Sequence, residues 1–478
     1  MLGTGRTRSA LFGIALVCAQ GAFANEPRSV EVDFSVSHGE LRAVQGINKG
    51  PLGAGGFVDL TAALTKLHVP FARMHDCHWP NPDVIDVSAI FPNAGADPAR
   101  AESYDFRLTD EYLNAVRATG ARIIYRLGES IEHTSVKRRV NPPADAAHWA
   151  AVCAGIVRHY NEGWAGGFHH GILYWEIWNE PENRPACWTG TDAEFFTLFK
   201  TTARTLRESF PALKIGGPGV GNSGGLNGEQ LRPSPFLSAF LDFCAHESVP
   251  LDFLSWHCYT DAPAELATRA KAVRALLDSR GFTKTESHLN EWNYLPDKSW
   301  SAFSRKADAT VRERAVQRMS DAEGAAFVAA AFVALQDAPV DVCNLFHGEA
   351  GAFGLFTENG VPTRNYHAVL AFSTLLETPR RVQAHAAAGL AVAAGTDAGG
   401  KRAALFLSNR EGSAEVRIRL AHLPWPGASD VEVRVVDRAR TFEIASQTVL
   451  AKSDDELTIS LAPPSVALVS FRPHPDPR

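Results

Sequence analysis

The stretch YWEIWNEPE, residues 174–182, combines the features of a buried strand with those of a binding site. Its first half is apolar and aromatic, which is typical of a parallel strand covered on both faces. Its second half contains Asn179, Glu180 and Pro181, polar and turn-forming residues that a purely structural strand does not need. We therefore predict that this strand delivers the Glu180 carboxyl group into a pocket whose aromatic rings exclude water.

The length, amino-acid composition and net charge limit which class of protein this chain can belong to. The chain has 478 residues, which is enough for one large domain and a smaller one. Hydrophobic residues make up 45% and charged residues 21%, a balance that fits a soluble globular protein. The net charge of −6 is unlike the basic footprint of a nucleic-acid-binding protein, so we expect no nucleic-acid partner.

Residues 1–24 have the features of a signal peptide. Arg6 and Arg8 precede an apolar run, and residues 22–24 read Ala-Phe-Ala, the small-x-small pattern of a signal-peptidase site. A membrane anchor is the alternative, but the run is short for a span and no second apolar segment follows. We expect an exported protein, periplasmic or secreted, without a stable membrane anchor.

The cysteines do not form a metal-binding pattern. No CxxC pair is present, so a zinc site is not expected. Export would permit disulfides, and we expect at most one bridge. Beyond residues 1–24, the six cysteines are Cys77, Cys153, Cys187, Cys244, Cys258 and Cys343.

Between residues 43 and 379, eight apolar runs alternate with eight amphipathic ones. Strand then helix, repeated eight times, is the signature of a (β/α)8 TIM barrel. A doubly wound sheet is the alternative, but no glycine-rich phosphate loop follows the first run. The predicted strands are 43–48, 70–75, 121–127, 172–178, 213–219, 251–259, 286–292 and 340–346. The predicted helices are 59–67, 108–119, 146–160, 191–210, 235–247, 264–280, 322–336 and 363–377.

A different pattern occupies residues 380–478. Short, partly alternating apolar runs are separated by Gly, Asp and Pro turns, which predicts a smaller antiparallel β-sandwich domain. Residues 28–36 show the same alternation ahead of the barrel. We therefore expect the segment 25–42 to join the sandwich, and the barrel to cover 43–379.

Two carboxyl groups stand at predicted strand ends. Glu180 ends the fourth run and Glu291 ends the seventh, and these strands face each other across an eight-stranded barrel whose active site lies at the strand C-termini. Cleavage of a glycosidic bond needs such a pair, one protonated to release the leaving oxygen and one ionised. A separation of about 5–5.5 Å retains the configuration at the sugar carbon and a wider one inverts it, and the sequence is compatible with both.

These motifs resemble those of the clan A glycoside hydrolases. WEIWNEPE at 175–182 is similar to the acid/base motif of their fourth strand, and HLNEWN at 288–293 to the nucleophile motif of their seventh. Within the clan the chain looks most like family 39, the group of β-xylosidases and α-L-iduronidases, over residues 40 to 380. FARMHD at 71–76 and SWHCY at 255–259 support the resemblance.

The resemblance implies a role for each residue of the two motifs. Glu180 would be the general acid/base and Glu291 the nucleophile of a retaining mechanism with a covalent glycosyl-enzyme. Asn179 would hold the sugar 2-hydroxyl, an interaction that strengthens in the transition state. Because the carboxyl pair suffices for the chemistry, we expect no metal and no cofactor. Apolar neighbours should raise the pKa of Glu180.

Further residues at the predicted strand ends are weaker candidates for substrate contact, since packing is the alternative for each. Arg73 could keep Glu291 ionised, and Tyr259 could donate its hydroxyl to Glu291. Glu176 shares the strand parity of Glu180 and is expected to be a buried structural partner. Candidates for lining the substrate subsites are His75, His257, Trp292 and Glu349, with the loop residues Asp76, Trp79, Glu129 and His133.

The function predicted from the sequence is an exported retaining glycoside hydrolase of the β-xylosidase type, with a carbohydrate as its partner. The loops MHDCHWPNP (74–82) and LNEWNYLP (289–296) depart from those expected of xylosidases, so sugar specificity transfers less well than the chemistry. One alternative is a hydrolase of α-L-linked sugars, uronides or exopolysaccharide on the same machinery. Another is a non-catalytic carbohydrate-binding protein.

Overall fold

The computed structural model describes residues 28–53, 57–79, 83–452 and 455–475. The predicted signal peptide, residues 1–24, lies outside these ranges. Across the ranges that are described, no helix has both the length and the apolar character needed to cross a bilayer.

Eight parallel strands close into a barrel, in which each strand pairs with the next along the chain and the eighth pairs with the first. This arrangement confirms the predicted TIM barrel. In chain order, barrel strands 1 to 8 are Gly46–Asn48, Phe71–Met74, Arg122–Leu127, Tyr174–Ile177, Lys214–Val220, Phe253–Thr260, Glu286–Tyr294 and Val342–Leu345. Two short hairpins, Leu52–Gly53 with Val58–Asp59 and Gly224–Asn227 with Gln230–Pro233, follow strands 1 and 5.

Some of the helices between the strands begin at recognisable caps. Thr191 forms a reciprocal capping box with Glu194, as its position before the helical run predicts. Ser234 caps the following helix, which has Pro235 in its first turn. The α-helices are Thr61–Thr65, Val87–Ile90, Arg107–Ala118, Ala146–Glu162, Asp192–Ser209, Pro235–His246, Pro263–Ser279, Ala309–Ser320, Ala322–Leu335 and Arg364–Leu375, and the 3-10 helices are Ala101–Ser103, Trp164–Gly166, Pro296–Lys298 and Trp300–Phe303.

Two of the α-helices are additional to the eight predicted. Val87–Ile90 is a single turn, too short for a periodic signal. Ala309–Ser320 is mostly polar and buries only Ala315 and Met319, so it lacks the apolar stripe by which the other helices are recognised.

The smaller domain is a nine-stranded sheet that is mixed rather than wholly antiparallel. Arg28–Glu40 pairs antiparallel with Arg380–Ala386 and parallel with Glu415–Ala421, which brings strands from before and after the barrel into one sheet. In sheet order the strands are Thr441–Leu450, Ser429–Val436, Ser465–Pro473, Ala403–Asn409, Leu390–Thr396, Arg380–Ala386, Arg28–Glu40, Glu415–Ala421 and Glu456–Ser460.

Strands distant in the sheet share one apolar core, as in a sandwich. The ring of Phe34 lies 6.2 Å from that of Phe471, although their strands are separated by three others in the sheet. The opposite face packs against the barrel helices, where Phe406 contacts Phe372 at 5.6 Å and the hydroxyl of Ser408 donates to the backbone of Ala326. The sheet therefore braces the outside of the barrel.

The edge strand Thr441–Leu450 was not expected from the sequence. Almost all of its side chains are exposed, so neither face carries the apolar alternation that identifies a half-buried strand. Backbone pairing with Ser429–Val436 defines it instead.

Candidate active site

The end of barrel strand 4 carries Glu180 on a bent backbone. Trp178 and Glu180 have φ angles of 71° and 45°, in the left-handed region that large side chains seldom adopt. Such backbone strain is characteristic of functional sites, where the surrounding structure holds it in place. The turn lets Asn179 and Glu180 both reach the barrel mouth, although they are consecutive in the chain.

The tryptophans of the same stretch do not surround the carboxyl group, which corrects the prediction made from the sequence. Trp175 stacks on Tyr125 and Trp178 packs edge-on against Trp188, both among the rings between the barrel and its helices. The physical reason is the alternation of a strand, which places Trp175 on the face opposite to Glu176. Glu180 is lined by polar groups instead.

A β-bulge in barrel strand 7 determines which of its residues face the interior. Trp256 of strand 6 is opposite Leu289, but the next residue, His257, is opposite Glu291, so Asn290 is the extra residue. Asn290 and Glu291 consequently both point inward.

Trp292, predicted as a substrate contact, points the other way. Its side chain is fully buried and lies 5.7 Å from the ring of Phe332 in the helix Ala322–Leu335. The strand alternates again after the bulge, so the residue after Glu291 faces the helices. Trp292 is therefore a core residue and does not line the cleft.

Arg73 joins the two motifs at the floor of the site. Its fully buried guanidinium donates to Glu176 Oε2 at 2.6 Å, to Glu291 Oε1 at 2.7 Å and to Asn179 Oδ1 at 2.7 Å. A further bond of 3.1 Å reaches Asn48 in strand 1. The Arg73 guanidinium thus fixes both the Glu291 carboxylate and the Asn179 side chain. Glu176 is the buried partner of Arg73, as its position on the strand predicts.

Strand 6 supplies three inward side chains at alternate positions. The hydroxyl of Ser255 donates to Glu176 Oε1 at 2.5 Å, and His257 Nδ1 lies 2.7 Å from Glu180 Oε1. The hydroxyl of Tyr259 donates to Glu291 Oε2 at 2.8 Å. His257 Nδ1 is also 3.5 Å from Glu291 Oε2, so this ring lies between the two carboxylates.

The two carboxylates are close enough to act on one sugar carbon. An oxygen of Glu180, a ring nitrogen of His257 and an oxygen of Glu291 all lie within 4.8 Å of one another. This is near the spacing of about 5–5.5 Å found in retaining hydrolases and shorter than the gap that admits a water between the groups. Within the ranges described, these three residues are also the one His/Cys/Asp/Glu group compact enough to hold a cation.

The charges of Glu180, His257 and Glu291 strongly affect one another's pKa values. Burial alone raises the pKa of Glu180, but hydrogen bonds from His257 and Asn183 and the charge of Arg73 bring it below its ordinary value. Burial keeps the pKa of Glu291 raised, although His257 and Arg73 lower it. Burial lowers the pKa of His257, but Glu291 and Glu180 raise it overall. The predicted rise for Glu180 is therefore wrong, because its neighbours are polar.

The amide of Asn179 is half satisfied. Arg73 donates to its Oδ1, while Nδ2 is buried and has no hydrogen-bond partner in the described part of the chain. A buried donor without a partner costs free energy, so the site is arranged for a ligand oxygen to accept from this nitrogen. This observation fits the sugar hydroxyl contact that the family resemblance implies for Asn179.

A cleft of about 710 Å³ opens above these groups. Glu180, Glu291 and Tyr259 form its floor. One wall is polar and consists of Glu182, Asn183, Gly221 and Asn222. The lining also includes the aromatic side chains of Trp300, Phe346 and Phe353, which follow strands 7 and 8, and Asp76, Ile131 and His133, which follow strands 2 and 3.

The remaining candidates divide between the cleft and its surroundings. His75 is buried beside the floor, with Nε2 3.8 Å from Glu291 Oε1, and burial and the nearby cations hold its pKa well below the ordinary range. Glu129 is buried and accepts from the backbone and hydroxyl of Ser88, while burial raises its pKa to about 8. It is a structural carboxyl group outside the cleft, and Trp79 likewise packs against the core.

Glu349 does not line the cleft directly, contrary to the prediction. It is buried 3.6 Å from Lys49, whose ammonium lies 5.4 Å from the ring of Phe346. Burial raises the pKa of Glu349 to about 7. The strand 8 loop therefore reaches the cleft with Phe346, while Glu349 pairs with the lysine behind that ring.

Comparison with known proteins identifies the family of this chain. A family model described as glycosyl hydrolases family 39 matches residues 76–385, more than half of the chain. The chain belongs to glycosyl hydrolase family 39. A β-xylosidase from Geobacillus stearothermophilus is 28% identical over 320 residues, which are 61% of this chain and 60% of that protein. A β-xylosidase from Caldicellulosiruptor saccharolyticus is 25% identical over 48% of this chain, and the match spans only 47% of its own length.

The matches to solved structures cover more of this family 39 chain than the sequence matches to the two β-xylosidases do. A glucosidase from Croceicoccus marinus is 26% identical, with a TM-score of 0.77 over 94% of this chain and 100% of its own. A family 39 enzyme from Xanthomonas axonopodis pv. citri has a TM-score of 0.71 at 17% identity over 95% and 99% of the two chains, which supports the fold.

Eight of the residues that line the cleft of this family 39 protein were not identified from the sequence, and four of them have the largest side chains or a charge. Glu182 is part of the opening stretch, but only its position beside Asn222 shows that it lines the cleft. Phe346 closes the eighth apolar run, and its place at a strand end was a usable signal. Trp300 and Phe353 lie in long loops after strands 7 and 8, where no periodicity shows which side chains turn inward.

Glu182 should reduce the stability of the folded protein above neutral pH. Its Oε1 accepts from the backbone of Asn222 at 2.9 Å, and its buried Oε2 lacks a partner among the residues described. Burial raises its pKa from an ordinary 4.5 to about 7. Between these values the unfolded chain is ionised while the folded one keeps its proton, so the destabilisation grows with pH and is complete above pH 7.

Glu182→Gln keeps the oxygen that accepts from Asn222 and removes the ionisation. We expect its free energy of unfolding to exceed that of the wild type by about 1–2 kcal/mol at pH 8 and to match it at pH 4, measured by urea denaturation. An equal gain at both pH values would contradict the assignment of the raised pKa.

Proposed function

We propose that this family 39 protein is a retaining glycoside hydrolase of the β-xylosidase type. The observation that carries the proposal is the 4.8 Å grouping of Glu180, His257 and Glu291, with Arg73 and Tyr259 holding the Glu291 carboxylate. Two carboxylates at this spacing fit direct attack by one of them on the sugar carbon. The two curated relatives named as β-xylosidases support the class of substrate.

In the first step, Glu291 attacks the anomeric carbon and the bond to the leaving oxygen breaks. Glu180 gives a proton to that oxygen. Since the pKa of Glu180 is lowered and that of His257 is raised, the proton resides largely on His257 before reaction and passes back through the 2.7 Å contact. A covalent glycosyl-enzyme results, and the leaving group departs neutral.

In the second step, water replaces the Glu291 ester. Esterification removes the negative charge of Glu291, which lowers the pKa of Glu180 further and suits it to act as a base. Glu180 takes a proton from the attacking water, and the restored Glu291 carboxylate returns to Arg73 and Tyr259. Two displacements at the same carbon retain its configuration.

The pH profile should reveal these groups. Glu291 must be ionised to attack, and its raised pKa places the acid limb of kcat/KM above pH 4.5. The hydrogen bond from Tyr259 lowers that pKa, so its removal in Tyr259→Phe should move the acid limb upward by about one pH unit. The measurement is kcat/KM against pH. Tyr294→Phe, which removes a hydroxyl bonded to Glu323 outside the cleft, should leave the limb in place. An unchanged or downward-shifted limb in Tyr259→Phe would contradict the assignment.

A glucosidase activity is the second candidate. The Croceicoccus marinus glucosidase is 26% identical to this chain and similar to it over its whole length. A glucoside differs from a xyloside by one hydroxymethyl group, so the machinery described here would serve both.

Hydrolysis of a panel of nitrophenyl glycosides, with the first-formed anomer read by NMR, tests the proposal. We expect turnover of the β-xyloside, or of the β-glucoside for the second candidate, with β product first. An α product from a β substrate would contradict the mechanism. A lack of turnover for every glycoside would contradict the function.

We also propose export, on the basis of residues 1–24.

A further inference from the structure

Trp300 is a half-exposed aromatic side chain beside buried catalytic groups. It begins the 3-10 helix Trp300–Phe303 in the loop after barrel strand 7, and 51% of its side-chain surface is open. Large apolar side chains in the described ranges are mostly buried, so this exposure at the mouth of a cleft is informative.

Three neighbouring rings hold the indole in a fixed orientation. Tyr259 contacts it at 5.0 Å with an interplanar angle of 66°, and Phe303 at 6.1 Å with 63°. Phe353 lies 5.9 Å away, tilted by 31°. These tilted and edge-on contacts fix the ring while leaving about half of it open, so a ligand can bind there at little cost in side-chain entropy.

The ring of Tyr259 is all that separates the Trp300 indole from Glu291, the proposed nucleophile. Tyr259 bridges the two, since its hydroxyl donates to Glu291 while its ring contacts Trp300. The side chains of Glu291 and Glu180 are only 6% and 15% exposed, so the chemistry takes place at the bottom of the cleft. The sugar attacked by Glu291 must sit at this floor, and the group that it loses must extend towards the open mouth.

The lining from the loops after strands 4 and 5 is polar, and strand 4 lies across the barrel from strand 8, which Phe346 and Phe353 follow. Asn183 and Asn222 are exposed there, and Asn183 also donates to Glu180 Oε2 at 3.0 Å. The mouth of the cleft thus offers an apolar face on one side and hydrogen-bonding groups on the other. A ring that is apolar on its faces and polar at its edge matches both sides.

We propose that Trp300 binds the leaving group of the substrate and selects leaving groups that contain a ring, either a pyranose sugar or an aryl group. The ring stacks on the open indole, and its edge faces Asn183 and Asn222. This inference rests on the proposed hydrolase function and adds to it the class of leaving group. Trp300 is a specificity-determining residue and takes no part in proton transfer.

The test compares two substrates with the same sugar. One is the nitrophenyl β-glycoside that the wild type hydrolyses, and the other is the corresponding β-glycosyl fluoride, whose leaving group has no ring. We expect Trp300→Ala to lower kcat/KM for the nitrophenyl glycoside about tenfold and to change that for the fluoride less than about twofold. Trp300→Phe, which keeps a ring, should recover most of the loss. Val311→Ala, at an exposed apolar position on the next helix, serves as the control and should alter neither value.

Transfer reactions give a second readout. With the fluoride as donor, Trp300→Ala should lower glycosyl transfer to a pyranose acceptor and leave transfer to methanol unchanged, because the ring of the acceptor occupies the position of the leaving group. An equal loss of kcat/KM for both substrates in Trp300→Ala would show that Trp300 only supports the floor of the cleft. Unchanged kcat/KM for both substrates would show that Trp300 does not bind the leaving group. Either outcome would overturn this inference alone, whereas a wild type that hydrolyses no glycoside would overturn the proposed function and with it this inference.

Discussion

Glu291→Ala is expected to lower kcat/KM by about 10⁴-fold or more while the protein stays folded. Without the carboxylate no glycosyl-enzyme can form, so the route through two displacements is closed. The shortened side chain leaves a cavity beside Arg73, which keeps its bonds to Glu176 and Asn179 and is not left unpaired. A small anion can enter this positively charged space.

Azide should therefore restore part of the activity of Glu291→Ala. It would attack the anomeric carbon from the side that Glu291 occupied, so one displacement gives a glycosyl azide of inverted configuration. NMR of the product is the measurement. Glu291→Gln fills the cavity and should not respond to azide, and Glu313→Ala on an exposed helix controls for surface substitution. A glycosyl azide of retained configuration, or near wild-type rates without azide, would exclude Glu291 as nucleophile.

Glu180→Ala should give a loss that depends on the leaving group. For a disaccharide or alkyl glycoside, whose leaving oxygen needs a proton, we expect a fall in kcat/KM of about 10³-fold. A dinitrophenyl glycoside needs little protonation, so its kcat/KM should change by less than about tenfold. Its kcat should fall more, because the same residue is the base of the second step. The measurement is a series of substrates with graded leaving-group pKa.

Azide distinguishes the acid/base from the nucleophile. In Glu180→Ala the covalent intermediate on Glu291 still forms, and azide attacks it without needing a base. The expected product is a glycosyl azide of retained configuration, and its formation should raise kcat. A loss of kcat/KM equal for all leaving groups would instead show that Glu180 has a structural role, as the buried Glu176 does at the base of the same strand.

The barrel and its carboxyl pair were predictable from the sequence because both follow from local patterns. Apolar runs alternating with amphipathic ones define parallel strands under helices, and closure of eight strands brings Glu180 and Glu291 to one mouth. Arg73, His257 and Tyr259 could be placed near them for the same reason, since each lies towards the end of a strand.

The errors arose where the position of a residue along a strand did not reveal which way its side chain points. The bulge at Asn290 shifts the parity of strand 7, so that Glu291 faces the cleft and Trp292 the helices. Because this strand is buried on both faces, no alternation of apolar and polar residues in its sequence reveals the extra residue. The pKa of Glu180 was mispredicted because its partner His257 belongs to a strand that is distant in sequence.

The central claim is that Glu291 becomes covalently bonded to the sugar, and trapping that intermediate tests it most directly. A 2-deoxy-2-fluoro glycoside with a dinitrophenyl leaving group forms the ester but slows its hydrolysis. After proteolysis, mass spectrometry should find one fluorosugar on the peptide containing Glu291, and none when Glu291→Ala is treated in the same way. A label on Glu180, or an active enzyme that forms no adduct and releases inverted product, would contradict the account.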